Sequence, residues 1–253
     1  MNDASIRFSS EGHIARIVLN RPGQHNALGA AEISQLHDRL AAIDADPAIR
    51  VLLLTGSGQR TFCAGASLSE FRSGDMNAGL FTTLTDRLAR LRVPSVCALN
   101  GSVFGGGAEI ALCCDYRIGV TGSRLLVPAA RIGLCYPLNG LQRYVDKLGL
   151  SVAKRILVAS EELDADTLLA IGFLHRVVQP DSLQAQSEAF AAHLAGLAPL
   201  AVQAMKRILG GIADGSMDPA EANRLADACA ASADLREGLA AQRERRTARF
   251  SGS

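Results

Sequence analysis

The stretch NGSVFGGGAEIALCCD, residues 100–115, decides the fold, because three consecutive glycines stand directly before an apolar run that contains one carboxylate, Glu109. Glycine is unfavourable in a helix interior, and an unpaired carboxylate is costly in a core. The first N–H groups of a helix, however, have no intrahelical partners, and glycines there let a ligand approach the backbone closely. Gly105, Gly106 and Gly107 therefore predict a backbone cradle for an anion, which can be a phosphate or a transient oxyanion on a carbonyl substrate.

Glu109 follows Gly106 by nearly one helical turn, so the spacing puts both residues on the same side of the helix. A carboxylate beside an oxyanion cradle suits proton abstraction or water activation next to a carbonyl. The alternative is structural: the glycines allow close helix–strand packing, and Glu109 pairs with a cation. The stretch is neither a G-x-G-x-x-G motif nor a P-loop, since no Gly-Lys-Ser/Thr follows.

Around this stretch, apolar runs typical of buried strands alternate with runs that have helical spacing. This alternation predicts an α/β domain with much parallel pairing. The predicted strands are 14–19, 51–55, 95–100 and 116–120, and the predicted helices are 31–43, 80–91 and the run from the glycines to Cys114.

The pattern changes after Ser151 and becomes mainly helical. One later strand is predicted at 175–178, and an Ala-rich helix is predicted at 182–197. Three further helices are expected within 199–250, with breaks at Gly210-Gly211 and near Ala231. The basic cluster RERRTARF is interpreted as a solvated helix end.

The composition narrows the classes of function. The chain has 253 residues, enough for one large domain or one domain with a small appendage. Its 26 basic and 25 acidic residues, 4% aromatic content and lack of Trp argue against binding nucleic acid or acidic membranes. The N-terminal MNDASIRFSS has no apolar core like that of a signal peptide, and no apolar run is long enough to span a membrane. A cytoplasmic protein is expected.

The sequence lacks the residue patterns of metal sites and of Ser/His/Asp hydrolases. None of the six cysteines forms a C-x-x-C pair, so most are expected to be buried as small hydrophobic side chains in a reducing compartment. The five histidines have neither H-x-x-x-H spacing for a metal nor a nucleophile-elbow partner for a Ser/His/Asp hydrolase.

A second segment strengthens the oxyanion interpretation. TFCAGASL, residues 61–68, follows the strand 51–55 after a short loop, and its Ala-Gly-Ala turn can offer a second backbone N–H. Two such donors are the usual requirement for an oxyanion hole.

Together, FCAGASL (62–68) and NGSVFGGGAEIALCCD resemble the paired signatures of the crotonase family, also called the enoyl-CoA hydratase/isomerase superfamily. The resemblance extends over nearly the whole chain, in the right order. It includes LNRPGQHNAL (19–28), AIGFLHRVV (170–178) and SADLREGLAAQRERRTARF (232–250).

The resemblance implies a crotonase-like α/β spiral of β-β-α repeats within residues 1–195. It implies a C-terminal helical region, 196–253, that builds homotrimers, often paired into hexamers. The substrate would be an acyl-CoA thioester, with no metal or redox cofactor.

The resemblance also implies roles for individual residues. The N–H groups of Ala66 and Gly106 would hold the thioester oxygen, and Glu109 would move a proton beside it. The residues expected to contact CoA are Gln24, the segment Ala64–Leu68 with Ala66, Ser67 and Leu68, and Arg245, which falls near a family lysine that reaches a CoA phosphate in the adjacent subunit.

The chain departs from the family pattern at three positions. Ala129, in LLVPAARIGL (125–134), stands where hydratases carry a second glutamate, and a methyl group cannot transfer a proton. Isomerases with one glutamate usually keep that second one. Ser67 replaces an aspartate and can cap the next helix. The segment GLCYPLNG (133–140), which contains Tyr136, resembles the equivalent segment of methylmalonyl-CoA decarboxylase. That enzyme has a histidine where this chain has Ala66.

Three hypotheses follow. The first is an enoyl-CoA hydratase/isomerase-type enzyme that acts on 2-enoyl-CoA and stabilises a thioester enolate. The second is a decarboxylase of a malonyl-CoA-type thioester, with Tyr136 near the acyl pocket; Tyr136 can also be a packing aromatic. The third is a non-catalytic protein that binds acyl-CoA or a partner. Acyl-chain length depends on loops such as 72–84, which have no readable pattern.

Overall fold

The computed structural model describes residues 4–74 and 78–253. The strands of this part of the chain are β1 (Ile6–Glu11), β2 (Ile14–Leu19), β3 (Val51–Gly56), β4 (Thr61–Cys63), β5 (Ser95–Leu99), β6 (Ser102–Phe104), β7 (Tyr116–Val120), β8 (Arg124–Leu126), β9 (Leu163–Asp164) and β10 (Arg176–Val178). Its helices are α1 (Ala30–Ala45), α2 (Leu68–Ser73), α3 (Ala78–Ala89), α4 (Gly106–Cys113), α5 (Leu138–Leu157), α6 (Ala165–Ala170), α7 (Leu183–Ala195), α8 (Pro199–Ala213), α9 (Pro219–Ala231) and α10 (Ala233–Glu244).

Successive β-β-α units build two sheets, as the α/β spiral interpretation predicts. The larger sheet has the order β1-β2-β3-β5-β7-β10, and the smaller has the order β4-β6-β8-β9. In the units that begin at β3, β5 and β7, the first strand joins the larger sheet and the second joins the smaller. Pairing is parallel except for the β1–β2 hairpin and the β8–β9 pair.

The larger sheet is buried on both faces, which explains the continuous apolar runs of its central strands. Leu52 and Leu54 of β3 belong to the main core, together with residues of α1, α3 and α4. Val51 and Leu53 point the other way and pack in a second cluster with residues of α7. Alternate residues of one strand therefore serve two different cores.

The predicted helices and strands of the first 120 residues are confirmed, but the sequence pattern missed β1 and the whole smaller sheet. The interpretation of 72–84 as a loop is wrong at both ends, because α2 extends to Ser73 and α3 begins at Ala78. Residues 75–77 of that segment, and residues 1–3 of the N-terminal MNDASIRFSS, lie outside the described residues.

The mainly helical C-terminal part is confirmed, with one correction. The predicted break at Gly210-Gly211 is wrong, since α8 continues through both glycines to Ala213. Gly211 packs closely on the turn that follows, because a Cβ atom built on it would lie 3.0 Å from the Cβ of Met217. The break near Ala231 is confirmed by the end of α9.

A half-buried ion pair fastens α8 to the sheet. Lys206 Nζ lies 2.6 Å from Asp115 Oδ2 and also donates to the carbonyl of Val93 at 2.8 Å. The Asp115 carboxylate accepts further hydrogen bonds from the backbone N–H and the hydroxyl of Ser95. The helix is therefore attached at the edge where β5 and β7 begin.

We expect Lys206→Met to lower the free energy of unfolding by about 1.5–3 kcal/mol, because the variant removes two hydrogen bonds made by a charged group that is mostly shielded from water. The matched control is Arg124→Met, which removes an exposed ion pair to Glu162. The control should cost less than about 1 kcal/mol. Urea unfolding measures both, and equal losses would contradict an anchoring role for Lys206.

No helix within 4–74 or 78–253 is long and apolar enough to cross a membrane.

The expectation that most cysteines are buried is confirmed for four of the six, while Cys229 is half-buried and Cys135 exposed.

Candidate active site

The glycine stretch forms the start of α4, as predicted. Gly105 has φ 50° and ψ −130°, a conformation that residues with a side chain rarely adopt. A Cβ atom on Gly107 would lie 2.1 Å from the carbonyl oxygen of Cys63, so the helix begins in direct contact with β4. Gly106 is the first helical residue, and its N–H has no acceptor within the helix.

The Ala66 N–H is left free by the way its segment pairs with Leu28. Leu28 donates to the carbonyl of Gly65 and accepts from the N–H of Ser67, both at 2.8 Å. In a parallel bridge of this kind the residue between the two partners points its own N–H and C=O to the opposite side. Within the described ranges, neither the Ala66 N–H nor the Gly106 N–H donates to a protein acceptor.

Gly65 brings these two amides together. It has φ +81°, and a Cβ atom built on it would lie 2.4 Å from the nitrogen of Gly106. The Ala66 and Gly106 segments can approach this closely only because residue 65 has no side chain. Two unpaired N–H groups on adjacent backbone segments make a suitable cradle for one oxyanion.

Glu109 lies on the buried side of α4 and is only 4% exposed. Its Oε1 accepts a hydrogen bond from Arg143 Nη1 at 2.7 Å. The other end of the same guanidinium pairs with Asp86, and Arg143 Nη1 also donates to Thr85 Oγ1 at 3.1 Å. One positive charge is thus shared by two carboxylates.

Burial raises the pKa of the Glu109 carboxyl above its ordinary value, and Arg143 opposes this shift without cancelling it. A carboxylate with a raised pKa takes up a proton more readily than an exposed one. Glu109 is therefore better suited than an exposed carboxylate to accept a proton and to return it.

Arg143 and Asp86 are the parts of this cluster that the sequence interpretation missed. The structural alternative, in which Glu109 pairs with a cation, is fulfilled by Arg143, so Glu109 is both paired and placed one turn from the free amides. The pair joins residues 34 positions apart on two helices. The one available signal was the need of a buried carboxylate for a partner, which does not specify the partner.

Ala129 and Tyr136 lie on the connection between β8 and α5. Ala129 begins a short 3-10 turn, Ala129–Ile132, and is buried in the main core. Tyr136 packs against that core, and its ring makes an edge-to-face contact with the ring of Tyr144, with centroids 6.5 Å apart. Burial, and after it the charge of Glu109, raises the pKa of the Tyr136 phenol.

The predicted CoA-contacting residues are brought together only in part. The segment with exposed Gln24 packs against Ala64, whose N–H donates to the carbonyl of His25 at 3.0 Å. Ser67 caps α2 by accepting from the N–H of Glu70, which confirms its expected capping. The next residue, Leu68, is 57% exposed.

Arg245 is exposed at the end of α10. In the described part of the chain, no hydrogen bond or ion pair joins it to the segments 22–28 or 61–68. A role at the CoA site of the same chain is therefore not supported by a contact.

Comparison with known proteins gives one family over almost the full length. The sequence model described as enoyl-CoA hydratase/isomerase matches residues 9–253. A crotonyl-CoA hydratase of Syntrophomonas wolfei subsp. wolfei is 32% identical over 97% of this chain and 97% of its own. A 2,3-dehydroadipyl-CoA hydratase of Escherichia coli is 31% identical over 98% and 99%. The crystal structure of an enoyl-CoA hydratase from Bacillus anthracis matches with a TM-score of 0.91 and 28% identity, covering 99% of this chain and 100% of that one.

Proposed function

Because this chain belongs to the enoyl-CoA hydratase/isomerase family, we propose that it hydrates 2-enoyl-CoA thioesters with Glu109 as the one carboxylate that moves protons. The observation that carries this proposal is the position of Glu109 on the helix whose first N–H, at Gly106, lies beside the free N–H of Ala66. The direct test is loss of the conjugated enoyl absorbance of crotonyl-CoA. No consumption of any 2-enoyl-CoA would overturn the proposal.

One carboxylate is sufficient for a balanced hydration. Glu109 takes one proton from water while the water oxygen bonds to the β-carbon, and the electron pair of the double bond moves to the thioester oxygen. The N–H groups of Ala66 and Gly106 stabilise that enolate oxygen. The α-carbon then takes the proton from Glu109, which leaves a 3-hydroxyacyl-CoA and restores the carboxylate. Ala129 therefore does not prevent the reaction.

The CoA part of the substrate is proposed to lie along Gln24 and the Ala64–Leu68 segment, where backbone groups and the exposed Leu68 side chain are available.

No cofactor is needed, since each proton in the scheme comes from water or Glu109. Among the described residues, no cluster of three or more His, Cys, Asp or Glu side chains is arranged to hold a metal ion. A cytoplasmic enzyme is proposed.

Decarboxylation of a malonyl-CoA-type thioester is the weaker alternative, because the charges beside Glu109 disfavour a free carboxylate on the acyl group. Arg143 already serves both Glu109 and Asp86, so the cluster has more negative than positive charge. Tyr136 supplies a neutral hydroxyl but no charge. Release of CO₂ from methylmalonyl-CoA, with no hydration of crotonyl-CoA, would favour this alternative.

Arg143 gives a pH prediction. A base must be ionised to act, so kcat/KM should fall as the pH drops through the raised pKa of Glu109, at a higher pH than for an ordinary carboxyl group. Arg143 lowers that pKa, so Arg143→Gln should move this acid limb to still higher pH. Arg143→Lys keeps a positive charge and should therefore move the limb less than Arg143→Gln does. A pH–rate profile measures it. An unmoved limb in Arg143→Gln would contradict the assignment of the limb to Glu109.

The region 196–253 is proposed to build the homotrimer, which can pair into a hexamer. The apolar side chains Met205, Leu209 and Ile212 recur at helical spacing along α8 and are more than half exposed, and Leu239 of α10 is 60% exposed. Covering such a face in an assembly stabilises it. A trimer or hexamer is the expected species in sedimentation, and a monomer would contradict the proposal.

Arg245 is proposed to reach a CoA phosphate of the adjacent subunit. We expect Arg245→Ala to raise KM for CoA thioesters with little change in kcat, since the lost contact is equal in the ground state and the transition state. The control Arg243→Ala removes a neighbouring guanidinium that is 80% exposed. Equal KM values for both variants would contradict a specific contact by Arg245.

A further inference from the structure

The Tyr144 side chain is fully buried, yet its hydroxyl has no hydrogen-bond partner among the described residues. A buried phenol without a partner costs free energy that phenylalanine at the same place would not. Such a group in a well-packed core calls for a physical reason, and a functional role is one of them.

The helix geometry places the Tyr144 side chain on the face of α5 that meets Glu109. Gly140 and Tyr144 are four residues apart and share one face, and side chains on a helix lean toward its N-terminus. The Tyr144 ring therefore leans over Gly140, which has no side chain. A Cβ atom on Gly140 would lie 3.1 Å from Glu109 Oε2, so this face of α5 meets the carboxylate.

The neighbouring groups agree with this direction. The Tyr144 ring meets the Tyr136 ring edge to face. Burial, followed by electrostatic interaction with Tyr136, Glu109 and Cys113, raises the pKa of the Tyr144 phenol. The phenol stays neutral at physiological pH and keeps its O–H as a donor.

Hydration needs a water that is held by more than one polar group, since a buried water normally makes two to four hydrogen bonds. Arg143 is bonded to Glu109 Oε1, and Oε2 is the atom nearest Gly140. The methyl group of Ala129 offers the water no partner. Among the described residues, the Tyr144 hydroxyl is a fully buried polar group on this side that has no partner.

We propose that the Tyr144 hydroxyl is a second binding group for the reacting water, which it holds against Glu109. This inference rests on the proposed hydratase function. Tyr144 donates its O–H to one lone pair of the water oxygen, the water donates one O–H to Glu109 Oε2, and the second lone pair faces the β-carbon. Proton and electron movements remain those of the Glu109 scheme, and Tyr144 keeps its proton throughout.

The test compares Tyr144→Phe with Tyr116→Phe, the same change on β7, where the ring packs on His175 and Phe190. Tyr144→Phe should lower kcat for crotonyl-CoA hydration by about 10- to 100-fold with little change in KM. Its stability in urea should be equal to or higher than that of the unsubstituted protein. Tyr116→Phe should keep its kcat. An unchanged kcat in Tyr144→Phe, or a fall that Tyr116→Phe shares, would overturn the proposal.

A crystal structure of the unsubstituted protein separates this inference from the proposed function. An ordered water within hydrogen-bond distance of both Tyr144 Oη and Glu109 is expected, and the same water should be lost in Tyr144→Phe. Its absence would overturn the role of Tyr144 whatever the activity. Its presence in a protein that hydrates no enoyl-CoA would support the water site and overturn the proposed reaction instead.

Discussion

Replacing Glu109 by glutamine is expected to lower kcat/KM for crotonyl-CoA hydration by about 10²–10⁴-fold, the usual contribution of one positioned acid–base group. Glutamine has nearly the same shape and can still bond to Arg143, so the change removes proton transfer more than packing. In a site with a second carboxylate part of the rate could survive, but Ala129 provides none. The loss is therefore expected at the upper end of this range.

The matched control is Glu32→Gln. Glu32 is also buried and also pairs with an arginine, since its Oε2 lies 2.7 Å from Arg21 Nη1. The control removes a buried, arginine-paired charge from α1 and should retain kcat. Steady-state rates and melting curves for both variants separate a chemical loss from a folding defect. Similar falls in kcat for the two variants would contradict the assignment of Glu109.

Gly65→Ala is expected to lower kcat by about 10²-fold or more, comparable with the removal of one oxyanion donor. The added methyl would stand 2.4 Å from the Gly106 nitrogen and 2.6 Å from its Cα, so the two backbone segments must separate. The free N–H groups of Ala66 and Gly106 then no longer point at one oxygen. A loss of unfolding free energy of roughly 1–3 kcal/mol should accompany the change.

Gly172→Ala controls for backbone strain without collision. Gly172 has φ +78°, close to that of Gly65, but a Cβ atom there would meet no atom within 4 Å. It is exposed after α6, which contributes no residue to the amide pair. This variant should have a lower free energy of unfolding in urea, because of the backbone strain, and an unchanged kcat. A comparable fall in kcat would mean that strain alone explains the effect of Gly65→Ala.

The sequence was sufficient for the local features of the site. The cradle at Gly105–Gly107, the nearby turn at Gly65 and the position of Glu109 one turn into α4 are all encoded within short segments. Glycine at a positive φ and a helix N-terminus have sequence signatures of their own. The central strands of the larger sheet could also be predicted, because each contains a continuous apolar run in the sequence.

The contacts across helices were not available from the sequence. The Glu109–Arg143–Asp86 cluster joins α4, α5 and α3, and no periodicity within one helix indicates which residue of another helix it meets. The unpaired hydroxyl of Tyr144 could not be predicted for the same reason, because its surroundings are formed by other parts of the chain. Each of these residues also fits an ordinary amphipathic helix, so only packing shows that they converge.

Two further errors have local physical causes. The strands β4, β6 and β8 are three residues long, too short for alternation to be recognised. Gly210-Gly211 looked like a helix end because each glycine costs about 1 kcal/mol in a helix. In α8 that cost is offset by tertiary packing, and the buried Gly211 lies directly against the turn that carries Met217.

The central claim is that one carboxylate, beside two free backbone amides, is enough for hydration. The most direct measurement is proton NMR of crotonyl-CoA incubated with the protein in D₂O. The expected product is 3-hydroxybutyryl-CoA with one deuterium at the α-carbon, delivered by Glu109 from solvent, and its formation should nearly cease in Glu109→Gln. Absence of the hydroxyacyl product, or equal rates of its formation by both proteins, would contradict the account.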